Sequence, residues 1–250
     1  MSSMPALGGL TAARPASSER RAASGLAQLA LFRRSPLAPH GSLDVHAISI
    51  PFGAFTGDFY SVHRAGDRLW FALGDVAGKG INAAVVMAMI QEELDRTTCD
   101  DPSTNMMRLH TFLRPLLTRN RFATAVIGFV RDDGTLAIAN GGHCPPLIRR
   151  ADGTIQQIAS TGPLLGVLSE SQWRTFQTTL EDGESLVLYT DGVIETRSQD
   201  GDEFGVNRVA TSSHGESAEE IAQNVVNAVN RHGKREDDLT LLVIGRTLGS

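Results

Sequence analysis

Aspartates stand at four places where a run of strand length meets a turn. Residues 69–73 are followed by Gly74 and Asp75, residues 186–189 by Thr190, Asp191 and Gly192, and residues 239–244 are preceded by Asp237 and Asp238. Asp58 opens a further strand that runs to Arg64. Taken singly, an acid beside a strand is explained by solvation at a loop. If the strands are neighbours the carboxylates converge, and like charges gathered in a poorly solvated site are unfavourable unless cations neutralise them. The donors are all oxygen, with no His or Cys sharing the pattern, which selects hard ions, Mg²⁺ or Mn²⁺. Two such ions about 4 Å apart could lower the pKa of a bridging water and stabilise a phosphoryl group under in-line attack.

The elements that must position these acids are legible as alternating and apolar runs. Residues 43–50 read as a strand closed by Pro51. Residues 59–64 and 69–73 form a hairpin around Ala65-Gly66-Asp67, so Asp58, which begins one strand, and Asp75, which ends the next, come to the same end of the sheet. Gly78, Lys79 and Gly80 make a turn whose glycines admit close approach to the backbone. The helix over 81–95 places Ile81, Ala84, Val85, Ala88 and Met89 on one face. A second helix starts at Asp101 or Pro102. Strands over 123–130 and 135–139 turn at Asp132-Asp133-Gly134, and 145–150 and 154–158 turn at Asp152-Gly153. Residues 173–180 and 185–189 repeat the strand-turn-strand theme, 216–230 form a helix, and 239–244 close the chain as a fully buried strand. Many antiparallel strands interrupted by a few helices argue a layered α+β domain.

The chain has 250 residues, 41% of them hydrophobic and 20% charged, with a net charge of -5. This balance is ordinary for a soluble globular domain and unsuited to general nucleic-acid binding. No apolar segment reaches the roughly 20 residues a membrane span needs. Two cysteines, Cys99 and Cys144, build no disulfide framework and fit a reducing cytoplasm. Residues 1–40 differ in composition, with Arg14, Arg20, Arg21, Arg33 and Arg34 against the single acid Glu19. They read as a flexible basic segment with one short helix near 20–32, preceding a domain over 41–250.

Five stretches occur in the order seen in PPM-type protein phosphatases: Thr56-Gly57-Asp58-Phe59-Tyr60, Gly74-Asp75-Val76-Ala77-Gly78-Lys79-Gly80, Asn140-Gly141-Gly142-His143, Tyr189-Thr190-Asp191-Gly192-Val193-Ile194-Glu195, and Asp237-Asp238-Leu239-Thr240. Over about 43–244 the chain most resembles the bacterial branch named after the stage II sporulation phosphatase. The resemblance implies a four-layer αββα sandwich of two antiparallel sheets flanked by helices. It also implies a binuclear Mn²⁺ or Mg²⁺ centre that hydrolyses phosphoserine or phosphothreonine on a protein. Carried over by motif, Asp58, Asp75, Asp191 and Asp237 are expected as metal ligands with the Val76 carbonyl, and Asp238 as a support beside them. The typical substrate in this branch is a phosphorylated STAS-domain anti-sigma-factor antagonist. The basic N-terminal segment resembles the end of a linker helix, suited to a regulatory partner or to self-association. An inactive pseudophosphatase, retaining the fold as an interaction module, is the alternative.

Ala77 stands where eukaryotic relatives carry a histidine proposed as general acid, so no side chain is nominated to protonate the leaving group. His143 reads as structural within its turn, and Lys79 as a solvated turn lysine. Residues 195–205, rich in glycine and acids, suggest a flap beside the metals. His143-Cys144, five residues and Arg150 satisfy the cysteine-phosphatase string, but Pro145 and Pro146 have no N–H with which to cradle a phosphate.

Overall fold

The apolar and alternating runs become ten strands in the structure, a computed structural model that describes residues 41–96, 101–117 and 121–247. In chain order the strands are β1 (Leu43–Ile50), β2 (Phe59–Ala65), β3 (Arg68–Val76), β4 (Ala123–Arg131), β5 (Thr135–Gly141), β6 (Leu147–Arg149), β7 (Ile155–Gln157), β8 (Phe176–Thr179), β9 (Ser185–Tyr189) and β10 (Leu239–Arg246). Among the described residues the helices are α1 (Ile81–Arg96), α2 (Pro102–Leu113), α3 (Asp191–Ile194), α4 (Gly205–Ser212) and α5 (Ala218–His232). The basic segment 1–40 and the helix expected near 20–32 lie outside the described residues.

The strands form two five-stranded antiparallel sheets, ordered β2-β3-β4-β5-β8 and β1-β10-β9-β6-β7. Their facing sides bury one core, in which Leu69, Phe71 and Leu73 of β3 join Leu186 and Leu188 of β9 and Leu242 and Ile244 of β10. The opposite face of β9 and β10, with Val187, Tyr189, Leu241 and Val243, packs on Ile221, Val225 and Val229 of α5. Burial on both faces is why β10 reads as an unbroken apolar run. α1 lies on β2 and β3, and α2 on β4 and β5, which completes the helix-sheet-sheet-helix layering. Asp101 caps α2 by accepting from the Thr104 N–H at 3.0 Å, with Pro102 as the first helical residue.

Two expectations are corrected. α1 buries Ala83, Ala84, Met87, Ile90 and Leu94, while Ile81, Val85 and Met89 face outward at 61%, 53% and 37% exposure. The residues from Ile81 to Ile90 are apolar on most sides, so that stretch alone offers two stripes, and the exposed Glu92, one turn after Met89, marks the outward one. Second, β8 and β9 are not partners. β8 pairs with β5 in one sheet and β9 with β10 and β6 in the other, so residues 180–184 cross between sheets. α3 and α4, for which the sequence pattern offers no element, flank the irregular stretch over 195–204.

Because Leu188 is 1% exposed between the two sheets, Leu188→Ala is expected to destabilise the fold by about 2–5 kcal/mol through lost burial and a residual cavity. Urea unfolding of the parent and the variant, with equal slopes, measures it.

Candidate metal centre

The site is built by where strands begin and end. Asp58 immediately precedes β2, and the register Phe59↔Gly74 sets it beside the end of β3, which carries Asp75. In the other sheet β9 ends at Tyr189, and β10, whose Leu241 is opposite Tyr189, begins just after Asp237 and Asp238. Asp191 is the first residue of α3. Acids from both sheets therefore meet at one end of the sandwich, a convergence across sheets and not along a single one. Asp75 lies inside β3, opposite Thr124 of β4, so the strand runs beyond Gly74, where the sequence pattern would close it.

Electrostatics register the crowding. Burial, then the charge of Asp75, holds the Asp58 carboxyl well above the usual carboxylate range, against the hydroxyls of Thr240 and Thr190 that favour its charged form. Asp75 is pushed up to about 7 by burial and by Asp191, Asp237 and Asp238. Asp191 is raised by burial and then by Asp237. Asp58, at 2% exposure, is the most enclosed of these acids. Its Oδ2 accepts from Thr190 Oγ1 at 2.8 Å, and the same Thr190 oxygen accepts from the Thr240 N–H at 3.0 Å. Thr190 thus couples Asp58 of one sheet to the first residues of β10 in the other. The sequence reading missed Thr190 and Thr240; both sit inside the quoted motifs, and a hydroxyl near an acid was the signal to follow.

The supporting contacts divide by role. Asp238 accepts from the Phe52 N–H at 2.7 Å and the Gly57 N–H at 3.3 Å, pinning the loop that delivers Asp58. A Cβ on Gly57 would stand 2.7 Å from both Asp75 Oδ1 and the Val76 carbonyl oxygen, and one on Gly192 would fall 1.8 Å from the Asp238 carbonyl oxygen. Close approach of backbone to acid is therefore the work of Gly57 and Gly192. Gly78 and Gly80, the positions that the turn pattern points to, have open space around them and supply left-handed turn conformations at φ 115° and 87°.

Lys79 is more than a solvated turn residue. Its Nζ lies 3.0 Å from Asp237 Oδ2 and also donates to the Glu236 carbonyl, while its ammonium stands 5.8 Å from the Phe52 ring centroid. The segment expected as a flap is pinned: Arg197 pairs with Glu203 and bridges Lys234, and His232 Nε2 donates to the Asp202 carbonyl. Cys144 and Arg150 do not form a phosphate cradle. Burial, followed by Asp191, pushes the Cys144 thiol up to about 12, and Arg150 is engaged at the far side of β6 by Glu184 at 2.7 Å and the Thr179 carbonyl at 2.9 Å.

The donor set suits hard cations, being carboxylates and a backbone carbonyl in a negative field. As the side chains are placed, no three His, Cys, Asp or Glu among the described residues close around a common point. The acids share a field, and Asp237 and Asp238 open on a cleft of about 130 Å³ lined also by Phe52, Phe55, Gly57 and Lys79.

Two five-stranded antiparallel sheets between helical layers, with acids gathered at one end, are the architecture of PP2C-type phosphatase domains. The chain belongs to the Stage II sporulation protein E (SpoIIE) family, whose pattern matches residues 65–247. Phosphoserine phosphatase RsbU of Bacillus subtilis (strain 168) is 28% identical over 213 residues, covering 82% of this chain and 64% of the relative. The chain thus spans slightly less than two thirds of that relative's length. The SiaA-PP2C domain of Pseudomonas aeruginosa shares the fold with a TM-score of 0.77 at 21% identity, over 91% of this chain and 95% of that one. RsbX, solved in complex with magnesium, shares it with a TM-score of 0.66 at 17% identity, over 83% and 96%. No helix among the described residues is long and apolar enough to cross a membrane.

A carboxyl whose pKa is raised on folding binds its proton more tightly in the folded state. It contributes stability that is complete below the ordinary carboxylate value of about 4 and is lost as pH rises through about 7 for Asp75. The chelated protein is therefore expected to lose this contribution to its melting temperature across that window, and Asp75→Asn to remove it. The difference between parent and variant melting curves, recorded against pH, reads the contribution of Asp75 together with its coupling to Asp58.

Proposed function

We propose that this chain is a metal-dependent protein serine/threonine phosphatase acting in the cytoplasm on a phosphorylated regulatory protein. The observation that supports it most is the gathering of Asp58, Asp75, Asp191 and Asp237 from both sheets at one end of a PP2C-type fold, each of the first three raised by burial and by its acidic neighbours. Such a cluster is unstable as a set of bare anions and useful as a cation cradle.

In this reading Asp58, Asp75, Asp191 and Asp237, with the Val76 carbonyl, hold two Mn²⁺ or Mg²⁺ ions. The oxygen-only donor set and the magnesium found with RsbX support that choice. When bound, such ions supply an activated water and neutralise charge on the phosphoryl oxygens. The chain's own residues do the positioning. Thr190 orients Asp58, Asp238 anchors the 52–57 loop, and Gly192 lets α3 pack against the backbone of Asp238. Lys79 balances Asp237 and must move aside, or share it, when a cation arrives. The cleft beside Asp237 leaves room for a phosphorylated side chain, with Phe52 and Phe55 as its apolar wall. Protonation of the leaving oxygen falls to water, since Ala77 offers no acid and the His143 ring is enclosed.

RsbU is named a phosphoserine phosphatase, which supports phosphoserine on a regulatory protein as the substrate class. A STAS-domain anti-sigma-factor antagonist is the specific form we propose, and the basic segment 1–40 is proposed to contact a regulatory partner or a second copy.

Hydrolysis of p-nitrophenyl phosphate and of a phosphoserine peptide tests the reading. Turnover is expected with Mn²⁺ and not with chelator, and Asp191→Ala should lower kcat by at least about a hundredfold, as loss of a charge-stabilising group does. Cys144→Ser should retain activity. A folded parent that turns over neither substrate at any Mn²⁺ concentration would favour the pseudophosphatase alternative.

A further inference from the structure

His143 is enclosed at 7% exposure and makes directed contacts on three sides. Its backbone N–H donates to Asn140 Oδ1 at 2.8 Å, and Asn140 Nδ2 donates to the His143 carbonyl at 3.3 Å. The turn thus closes on itself through the Asn140 side chain and the His143 main chain, leaving the imidazole free to serve other elements. Nε2 lies 3.1 Å from the Tyr189 carbonyl oxygen and Nδ1 lies 2.7 Å from Thr124 Oγ1.

The direction of both bonds follows from chemistry. A carbonyl has no hydrogen to give, so Nε2 carries the ring proton and donates. Nδ1 of that neutral tautomer can only accept, so the Thr124 hydroxyl donates to it. Thr124 belongs to β4 and is the cross-strand partner of Asp75; Tyr189 ends β9, two residues before Asp191. The imidazole therefore spans the two sheets at the end where the acids meet.

We propose that His143 is a positioning residue for the acidic centre, a strut through Thr124 and Tyr189 that sets the separation of the Asp75 and Asp191 sides. Resting on the metal-dependent reading above, the inference gives the strut a second effect. Directly opposed residues of an antiparallel pair project from the same face with Cβ atoms about 5 Å apart. A free Thr124 hydroxyl would have Asp75 within reach, yet its hydrogen is committed to Nδ1. The hydrogen bond that Asp75 does receive comes from the backbone of Val76. Among the described residues no side-chain hydroxyl donates to Asp75, whereas Asp58 has a hydroxyl of Thr190 on it. With both nitrogens occupied and the ring enclosed, His143 has no proton to exchange with a substrate. Its influence on the reaction runs through the two residues it holds.

Mn²⁺ titration of the chelated, full-length protein by calorimetry tests the strut, with folding checked by circular dichroism and melting. Thr124→Val keeps the shape and deletes the hydroxyl; Thr124→Ser keeps the hydroxyl and deletes the methyl. Thr124→Val and His143→Gln are expected to weaken Mn²⁺ binding by about tenfold or more, with Thr124→Ser within about twofold of the parent, the scale of loss when a support behind a ligand is removed. For a phosphoserine peptide, excess Mn²⁺ should restore kcat with KM unchanged. Parent-like Mn²⁺ affinity in Thr124→Val, or a loss in Thr124→Ser that exceeds it, overturns the strut while leaving the metal reading intact. Should the parent itself show no Mn²⁺ binding that Asp191→Ala removes, the metal reading falls and the strut falls with it. If His143→Gln does not fold, the Val and Ser pair at Thr124 still separates these outcomes.

Discussion

Mutual repulsion among partly buried carboxylates is the constraint around which this end of the molecule is built. The acids cannot relax away from one another, because each is fixed by an element that the core holds in place. β3 is locked between β2 and β4, and β10 between β1 and β9. The inter-sheet core of Leu69, Phe71, Leu73, Leu188, Leu242 and Ile244 supplies the apolar burial that offsets the strain. The crowding is tolerable because it is confined to one end, and functional sites commonly concentrate unfavourable charge in this way.

Much of this was legible in the sequence because the relevant signals are local. The 65–67 hairpin is specified by its turn residues, and the arithmetic of an antiparallel pair then forces Asp58 beside Asp75. The Asp101-Pro102 start of α2 is local chemistry as well. What sequence could not carry was any choice made by a partner element. The buried face of α1 is ambiguous from Ile81 to Ile90, where the helix is apolar on most sides, and only the later turns, with Glu92 exposed and Leu94 buried, distinguish it. The separation of β8 from β9 depends on β5 offering a free edge to β8, which no local pattern announces. Thr124, Thr190 and Thr240 escape a sequence reading for a related reason. A threonine in or beside a strand looks like propensity until the acid or imidazole opposite it is known.

Glycine is similarly ambiguous. The turn at Gly78 and Gly80 has the pattern of a close approach, but those positions satisfy backbone dihedrals alone. The steric demand falls at Gly57 and Gly192, where the neighbour of a glycine Cα is an Asp75 carboxylate oxygen or the carbonyl of Asp238. The distinction has a functional side: the first pair shapes the chain, whereas the second sets how near the acids of opposite sheets can come.

The same field decides which chemistry this end of the fold can support. A thiolate is the reactive form of cysteine, and burial first, then the charges of Asp191, Glu195 and Asp58, drive the Cys144 thiol in the opposite direction, to about 12. Any nucleophile that must become an anion here meets the same opposition, and hydroxide is no exception. Carboxylates alone, already drawn toward their protonated forms, would suppress water ionisation. A hard cation held by these carboxylates would reverse the sign of the local potential, favour their charged state and make an anionic nucleophile tolerable. Lys79 alone cannot do this, because one ammonium on an exposed turn leaves the deeper Asp58 and Asp75 uncompensated. Burial and the arrangement of charge together argue against the cysteine mechanism and for a cation-dependent one.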